Sequence, residues 1–191
     1  MNISDFLGRA KLGVDERSGL LSVELKNVSI EGEAVALKLR SPLKLQVSSV
    51  EPFTRLERSV YVRMRAVFKA KAAARGIQEV GGVVGGKWDT CFNASTIGFS
   101  RAGPAVPPIE LGLVAPSGGV IGWSVFGFNS MVAVSESVSC WAFVDAGAGK
   151  ASVLGSFQQQ GGLFEFDVAR KQLGFTGVLD VYRTTCSNFI F

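Results

Sequence analysis

The sequence predicts a mainly β fold carrying one long helix, on three observations. The chain holds 23 glycines, and its apolar runs are all short. Alternating apolar and polar segments recur at even spacing between turn-forming clusters, as packed strands do. A single stretch repeats its apolar residues at helical spacing instead. With 47% hydrophobic and 19% charged residues over 191 positions, the composition excludes a disordered chain and supplies one domain with a real core.

Residues 20–30 (LLSVELKNVSI) alternate like a half-buried strand. Residues 33–40 repeat the pattern after the turn-like Glu31-Gly32, and 43–49 give a third strand before Pro52. The period then changes. Across 59–75, Val60, Met64, Val67, Phe68 and Ala72 fall on one helical face, with Ser59 as N-cap and Gly76 as terminator. The stretch GIQEVGGVVGGKW reads as a surface loop, and it lacks the Lys-Ser/Thr of a phosphate-binding loop. Strands are expected near 109–114, 122–126, 130–134 and 140–144, divided by Pro104, Pro107-Pro108, Ser117-Gly118-Gly119 and residues 146–149. A short strand at 152–154, a helical turn at 156–160 and strands at 163–168 and 172–176 complete the domain. Residues 1–19 carry no such pattern and read as an irregular N-terminal segment.

Histidine is absent, which removes Ser-His-Asp and Cys-His machinery and most catalytic zinc sites. Cys91, Cys140 and Cys186 lack CxxC spacing; either one bridge forms and a thiol is left over, or all three are reduced. No metal and no cofactor is implied. Acid–base work could draw on Asp89, Asp145, Asp167, Glu51 and Glu165, but no motif forces any two together. Asp167 ends the run FEFD, where turn capping is the ordinary role. The net charge of +4 is too mild for a nucleic-acid surface, and Arg63, Arg65, Lys69, Lys71 and Arg75 read as the solvated face of the helix. No apolar run reaches the ~18 residues of a membrane span. Phe157, Phe164, Phe166 and Phe175 alternate with polar residues as core positions do. The N-terminus, MNISDFLGRAKLG, lacks the basic and apolar regions of a secretory signal peptide. Sequons at Asn2, Asn27 and Asn93 would accept glycans on an exported chain.

The tail VLGSFQQQGGLFEFDVARKQLGF (153–175) resembles the C-terminal signature of pepsin-like aspartic proteases, a family of two-lobed β proteins. RTTCSNF (183–189) narrows the resemblance to the plant branch of xylanase-inhibitor-like proteins, extracellular dermal glycoproteins and basic seed globulins. CFNASTI (91–97), GPAVPPIEL (103–111), WSVFGFNSMVAVS (123–135) and CWAFVD (140–145) extend it in order across residues 20–191. The resemblance implies the C-terminal lobe of the pepsin-like fold, with the N-terminal lobe as a missing partner. It also implies an extracellular or cell-wall location, while the absent signal peptide and odd cysteine suit a truncated product.

In active members each lobe supplies one aspartate within Asp-Thr/Ser-Gly, and the two carboxylates share a proton. The matching stretch is LKLQVSSVEPFTRL (43–56), where Ser48, Ser49 and Val50 stand at those positions. A serine hydroxyl cannot hold and release a proton as a carboxylate does, so the resemblance implies an inactive homologue. It pairs Cys91 with Cys140 and leaves Cys186, whose usual partner lies in the other lobe, unpaired. It further implies microbial cell-wall glycosidases as partners, bound by loops of this lobe. One inhibitor type uses a histidine shortly before the last cysteine, where VLDVYRTTC offers Tyr182. The dermal-glycoprotein type uses an arginine matched by Arg183, which can grip a carboxylate with two parallel hydrogen bonds. An aspartic endopeptidase or its remnant, and a degenerate storage-like protein, are the alternative readings.

Overall fold

The computed structural model describes residues 6–81 and 88–188. The first alternating segment becomes the central strand Leu21–Ile30, burying Val23, Leu25, Val28 and Ile30. The step of three from Leu25 to Val28 marks a bulge. Gly112 pairs with Asn27 but Leu113 pairs with Leu25, so Lys26 is the extra residue and the inward phase is restored beyond it.

This strand sits inside a nine-stranded sheet in the order Val120–Val125, Ile109–Val114, Leu21–Ile30, Leu43–Val47, Ser152–Leu154, Thr54–Glu57, Phe143–Gly147, with Gly13–Val14 and Glu33–Ala34 also pairing on the central strand. Two pairings are parallel: Ser152–Leu154 beside Leu43–Val47, and Phe143–Gly147 beside Thr54–Glu57. A four-stranded sheet joins Met131–Ala133, Val138–Trp141, Cys91–Asn93 and Glu79–Val80. A three-stranded sheet joins Gly8–Lys11, Gln172–Phe175 and Phe164–Asp167.

Helix α1 (Arg58–Ala74) buries Val60, Tyr61, Met64, Phe68 and Ala72 against the large sheet. Trp141 lies flat on Phe68, with ring centroids 5.2 Å apart, and also stacks on Tyr61. Truncating a buried aromatic such as Phe68 costs about 3–5 kcal/mol in a core of this kind. Gly76 ends α1 as expected, with φ +76°. The Ile77 N–H reaches Ala72 O at 3.0 Å and the Gly76 N–H reaches Ala73 O at 2.9 Å, a Schellman closure. At the other end the cap is Glu57, whose carboxylate accepts the Ser59 N–H at 2.8 Å, so Ser59 is the second residue of the helix and does not cap it.

Several other expectations are corrected. Of the segment 1–19, expected to be irregular, the described part (6–19) holds strands: Gly8–Lys11 pairs with Gln172–Phe175, Gly13–Val14 pairs with the central strand, and Ala10 and Leu12 are fully buried. The ordering partner lies at the far end of the chain, where local periodicity is silent. In 33–40 only Glu33–Ala34 enters a ladder; Lys38, at φ +54°, turns the chain away while Val35 and Leu37 still point inward. The strand expected at 130–134 is present as Met131–Ala133, and Ser130 instead ends a short helix α2 (Gly127–Ser130) that precedes it. A Cβ at Gly127 would sit 1.9 Å from Pro104 O, so only glycine permits that approach. Phe166 is 39% exposed because Phe164–Asp167 is an edge strand, and it is no core residue; Phe175 is buried. The basic residues of α1 do not form a freely solvated face. Arg65 pairs with Asp89 at 2.6 Å, Lys69 with Glu79 at 2.6 Å and Lys71 with Glu33 at 2.9 Å, while Arg75 pairs with Glu31. All of the GGVVGG stretch but Gly81 lies outside the described residues, as does Asn2.

Candidate functional site

Ser48 follows the strand Leu43–Val47, and its N–H donates to Leu154 O at 3.0 Å. Its hydroxyl oxygen accepts the Val50 N–H (3.2 Å) and the Glu51 N–H (2.9 Å), a turn-capping role. Its carbonyl accepts Gln159 Nε2 at 3.0 Å, and the same amide reaches Gly155 O at 3.1 Å. The loop is closed further by the Ser156 N–H on Glu51 O and the Phe157 N–H on Pro52 O.

Behind this loop lies a buried polar network. Gln158 Oε1 accepts from the Thr54 N–H (2.9 Å) and hydroxyl (2.7 Å), while its Nε2 donates to Asn129 O and Ala142 O, both at 2.9 Å. Asn129 Nδ2 donates to Phe157 O and Gln160 O. Thr54 Oγ1 in turn accepts the Gly155 N–H at 3.0 Å. Every polar atom of the Gln158 side chain is satisfied, which locks two loops and α2 into one body. A Cβ on Gly155 would come within 2.3 Å of the Phe53 backbone, so this crossing tolerates only glycine. Neither Gln158 nor Gln159 was marked by sequence. The glutamine triplet in the tail is the available signal, but the Thr54 and Ser48 partners lie about a hundred positions away.

The five candidate carboxylates are not brought together. Asp89 accepts from the Tyr61 hydroxyl, Thr90 and Arg65. Burial, with Asp89 adding to it, pushes the Tyr61 phenol well above its ordinary range. Asp145 binds Arg58 Nε at 2.9 Å, Glu51 lies 3.8 Å from Arg55, and Glu165 meets Arg9 at 3.1 Å. Asp167 caps its turn as expected: the Arg170 N–H, then the Arg170 side chain, hold its carboxyl below the ordinary value.

Tyr182 and Arg183 are neighbours at the end of a short turn. The 3-10 turn Leu179–Tyr182 is anchored by buried Val178 and Leu179 and by the Leu179 N–H on Gly161 O at 2.8 Å. Arg183 follows in the left-handed region, φ +56° and ψ +37°, with its N–H on Asp180 O. For a residue with a Cβ this conformation costs about 1–2 kcal/mol. Both side chains are exposed, and the Arg183 guanidinium pairs with no carboxylate among the described residues. The Tyr182 ring meets Phe6 edge to face at 5.9 Å, beside a cavity of about 350 Å³.

Cys91 and Cys140 are bonded directly across paired strands, beneath Trp88 and Phe53. The Cys186 side chain lies outside the described residues. Of the sequons, Asn27 is exposed in mid-strand over Gly112, whereas Asn93 Oδ1 accepts both the backbone N–H and the hydroxyl of Ser95.

Residues 21–177 match the protein family described as Xylanase inhibitor C-terminal. The chain is 34% identical over 188 residues to the probable aspartic proteinase GIP2 of Nicotiana benthamiana, covering 97% of this chain and 39% of that protein. It is 33% identical over 175 residues to Chitinase CLP of Oryza sativa subsp. japonica, covering 88% of this chain and 40% of that one. The crystal structure of edgp superposes with a TM-score of 0.82 at 30% identity, over 98% of this chain and 49% of its own. The chain therefore spans less than half the length of each of these proteins. It belongs to the xylanase inhibitor C-terminal family, and its fold is one pepsin-like lobe of that group.

Proposed function

We propose that this chain is a catalytically inactive pepsin-like lobe that binds a microbial cell-wall glycosidase, with Arg183 directed at the carboxylates of the enzyme's cleft. One observation carries the reading: Arg183 is exposed, lacks an ion-pair partner among the described residues, and is held in strained left-handed backbone on a well-anchored turn. Strain maintained on a rigid support is a common mark of a displayed contact residue. Glycosidase clefts hold a pair of carboxylates, which a guanidinium can engage through two parallel hydrogen bonds. The Ser48 hydroxyl supports the inactive half of the reading, because its oxygen is occupied by two backbone amides and hydrogen-bonds to no carboxylate among the described residues. The relatives' names, proteinase and chitinase, point in different directions and do not choose between activities.

The test is titration against a fungal endoxylanase and a xyloglucan-specific endoglucanase. Saturable inhibition of at least one is expected, with Arg183→Ala weakening it at least ~30-fold, since removing one partner of a desolvated charge pair costs about 2–5 kcal/mol. The reading fails if neither this chain nor the longest product of its gene inhibits either enzyme. Pepstatin-sensitive cleavage of casein at acid pH would overturn the inactive half alone.

A further inference from the structure

A second cavity, of about 310 Å³, is lined by both ends of the turn 15–20, by Leu43–Val47 and by the start of Ser152–Leu154. Every lining residue, with its neighbours in the chain, is among the described ones. Strand register fixes the floor. Ser22 stands directly opposite Gln46, and Lys44 lies diagonally across on the same face, because Lys44 pairs with Glu24. Val23 and Leu45, between them, turn the other way into the core. Ser22 is only 4% exposed, and its hydroxyl hydrogen-bonds to no described residue. Gly13, its partner on the other side, leaves that hydroxyl room, since a Cβ there would lie 2.5 Å from Ser22 Oγ. A buried hydroxyl without a partner is costly, and a ligand oxygen that accepts from it removes the cost.

The charge of the lining is one-sided. Lys44 and Lys150 are both exposed, and neither forms an ion pair with a described residue. Asp15 is the single acid among the described lining residues. Its Oδ1 accepts the Arg17 and Ser18 N–H groups at 3.0 and 2.9 Å, and Lys44 lies near enough to feel its charge. Two ammonium groups against one carboxylate suit a monoanion and oppose a cation. The remaining wall is aliphatic: Leu20, which is 46% exposed, with Leu21 and Leu43. No aromatic ring among the described residues lines it, so a flexible chain fits as well as a flat ligand. We propose that this cavity binds a small aliphatic monocarboxylate. Its carboxylate accepts from the Ser22 hydroxyl, the Gln46 amide and the Lys44 ammonium, Lys150 supplies the second positive charge, and the alkyl chain lies along the leucines. A chain of about eight carbons suits a volume at the small end of ligand cavities, which run from about 300 to 1,000 Å³. The site shares no residue with the Tyr182–Arg183 turn, so either proposal can fail without the other.

Nitrogen-15 NMR titration of this chain with octanoate tests it, with 1-octanol and octylammonium as comparisons of equal length. Saturable shifts at the amides of Ser22, Lys44 and Ala151 are expected, at about millimolar affinity for so small a ligand. 1-Octanol should bind at least ~5-fold more weakly and octylammonium at least ~10-fold. Lys44→Gln combined with Lys150→Gln should weaken octanoate at least ~5-fold and leave 1-octanol unchanged. Ser22→Ala, which removes only the hydroxyl oxygen, should weaken octanoate at least ~3-fold. The proposal is overturned if octanoate shifts none of these amides, if either comparison binds as tightly, or if binding survives the lysine pair and Ser22→Ala together. Should Ser22→Ala lose the wild-type amide dispersion, the exposed lysine pair and the wild-type comparisons decide.

Discussion

The Ser48 loop and the Tyr182–Arg183 turn are opposite solutions to positioning a polar side chain. At Ser48 the hydroxyl, carbonyl and N–H are all consumed by neighbours, and Gln158 and Gln159 secure the loop from beneath. At Arg183 the backbone is strained, the turn below is anchored by Val178 and Leu179, and the guanidinium is left without an ion-pair partner among the described residues. One region has its polar groups satisfied and its geometry fixed. The other retains binding capacity at a cost in backbone energy. On the proposed reading, recognition belongs to the turn and not to the Ser48 loop.

The largest expected effect lies under the rigid loop. Gln158→Ala would strand the Thr54 N–H and two buried carbonyls, and should destabilise the lobe by about 3–5 kcal/mol in urea unfolding. A loss under 1 kcal/mol would show that the loop is not held from below. Ser48→Ala should cost about 1 kcal/mol, the value of a capping hydrogen bond, and leave glycosidase inhibition unchanged. Arg183→Gly should move the other way, stabilising by about 0.5–1 kcal/mol as left-handed strain is relieved against a freer unfolded chain, while inhibition falls. A destabilised Arg183→Gly would mean that the turn is not strained and the contrast is lost.

The smallest effect is in acid. The Ser59 side chain, then its N–H and that of Gly149, hold the Glu57 carboxyl below its ordinary value of 4.5, and the Ser18 and Arg17 amides do the same for Asp15 below 3.8. Lowered carboxyls contribute stability above their unfolded values and lose it as pH falls through the folded ones. Thermal stability should therefore decline from pH 4.5 downward, and Glu57→Gln should flatten that slope.

Local chemistry made parts of this legible. Gly76 announced the end of α1, the alternation of 20–30 announced the central strand, and the run FEFD announced the Asp167 turn. What stayed hidden depends on partners distant in the chain. The strand Thr54–Glu57 is recognisable only beside Phe143–Gly147, and Gly8–Lys11 only beside Gln172–Phe175. Glu57 outranked Ser59 as cap because its carboxylate reaches the Ser59 N–H as well as the hydroxyl. Phe166 has the right periodicity, but its face of the edge strand is uncovered, and periodicity cannot report that. The disulfide and the Arg183 position came from resemblance; the left-handed backbone at Arg183 had no sequence signal, since glycine is the residue that usually marks it.

The pairing of Gly8–Lys11 with Gln172–Phe175 also sets a schedule for synthesis. A ribosome makes Gly8–Lys11 long before Gln172–Phe175, so that strand has no ladder until its partner has emerged. Native pairings of such long sequence separation slow folding, because loop closure must be met before any contact rewards it. The lobe therefore closes this sheet late in its folding, and until then Gly8–Lys11 is an open edge that a chaperone would have reason to cover.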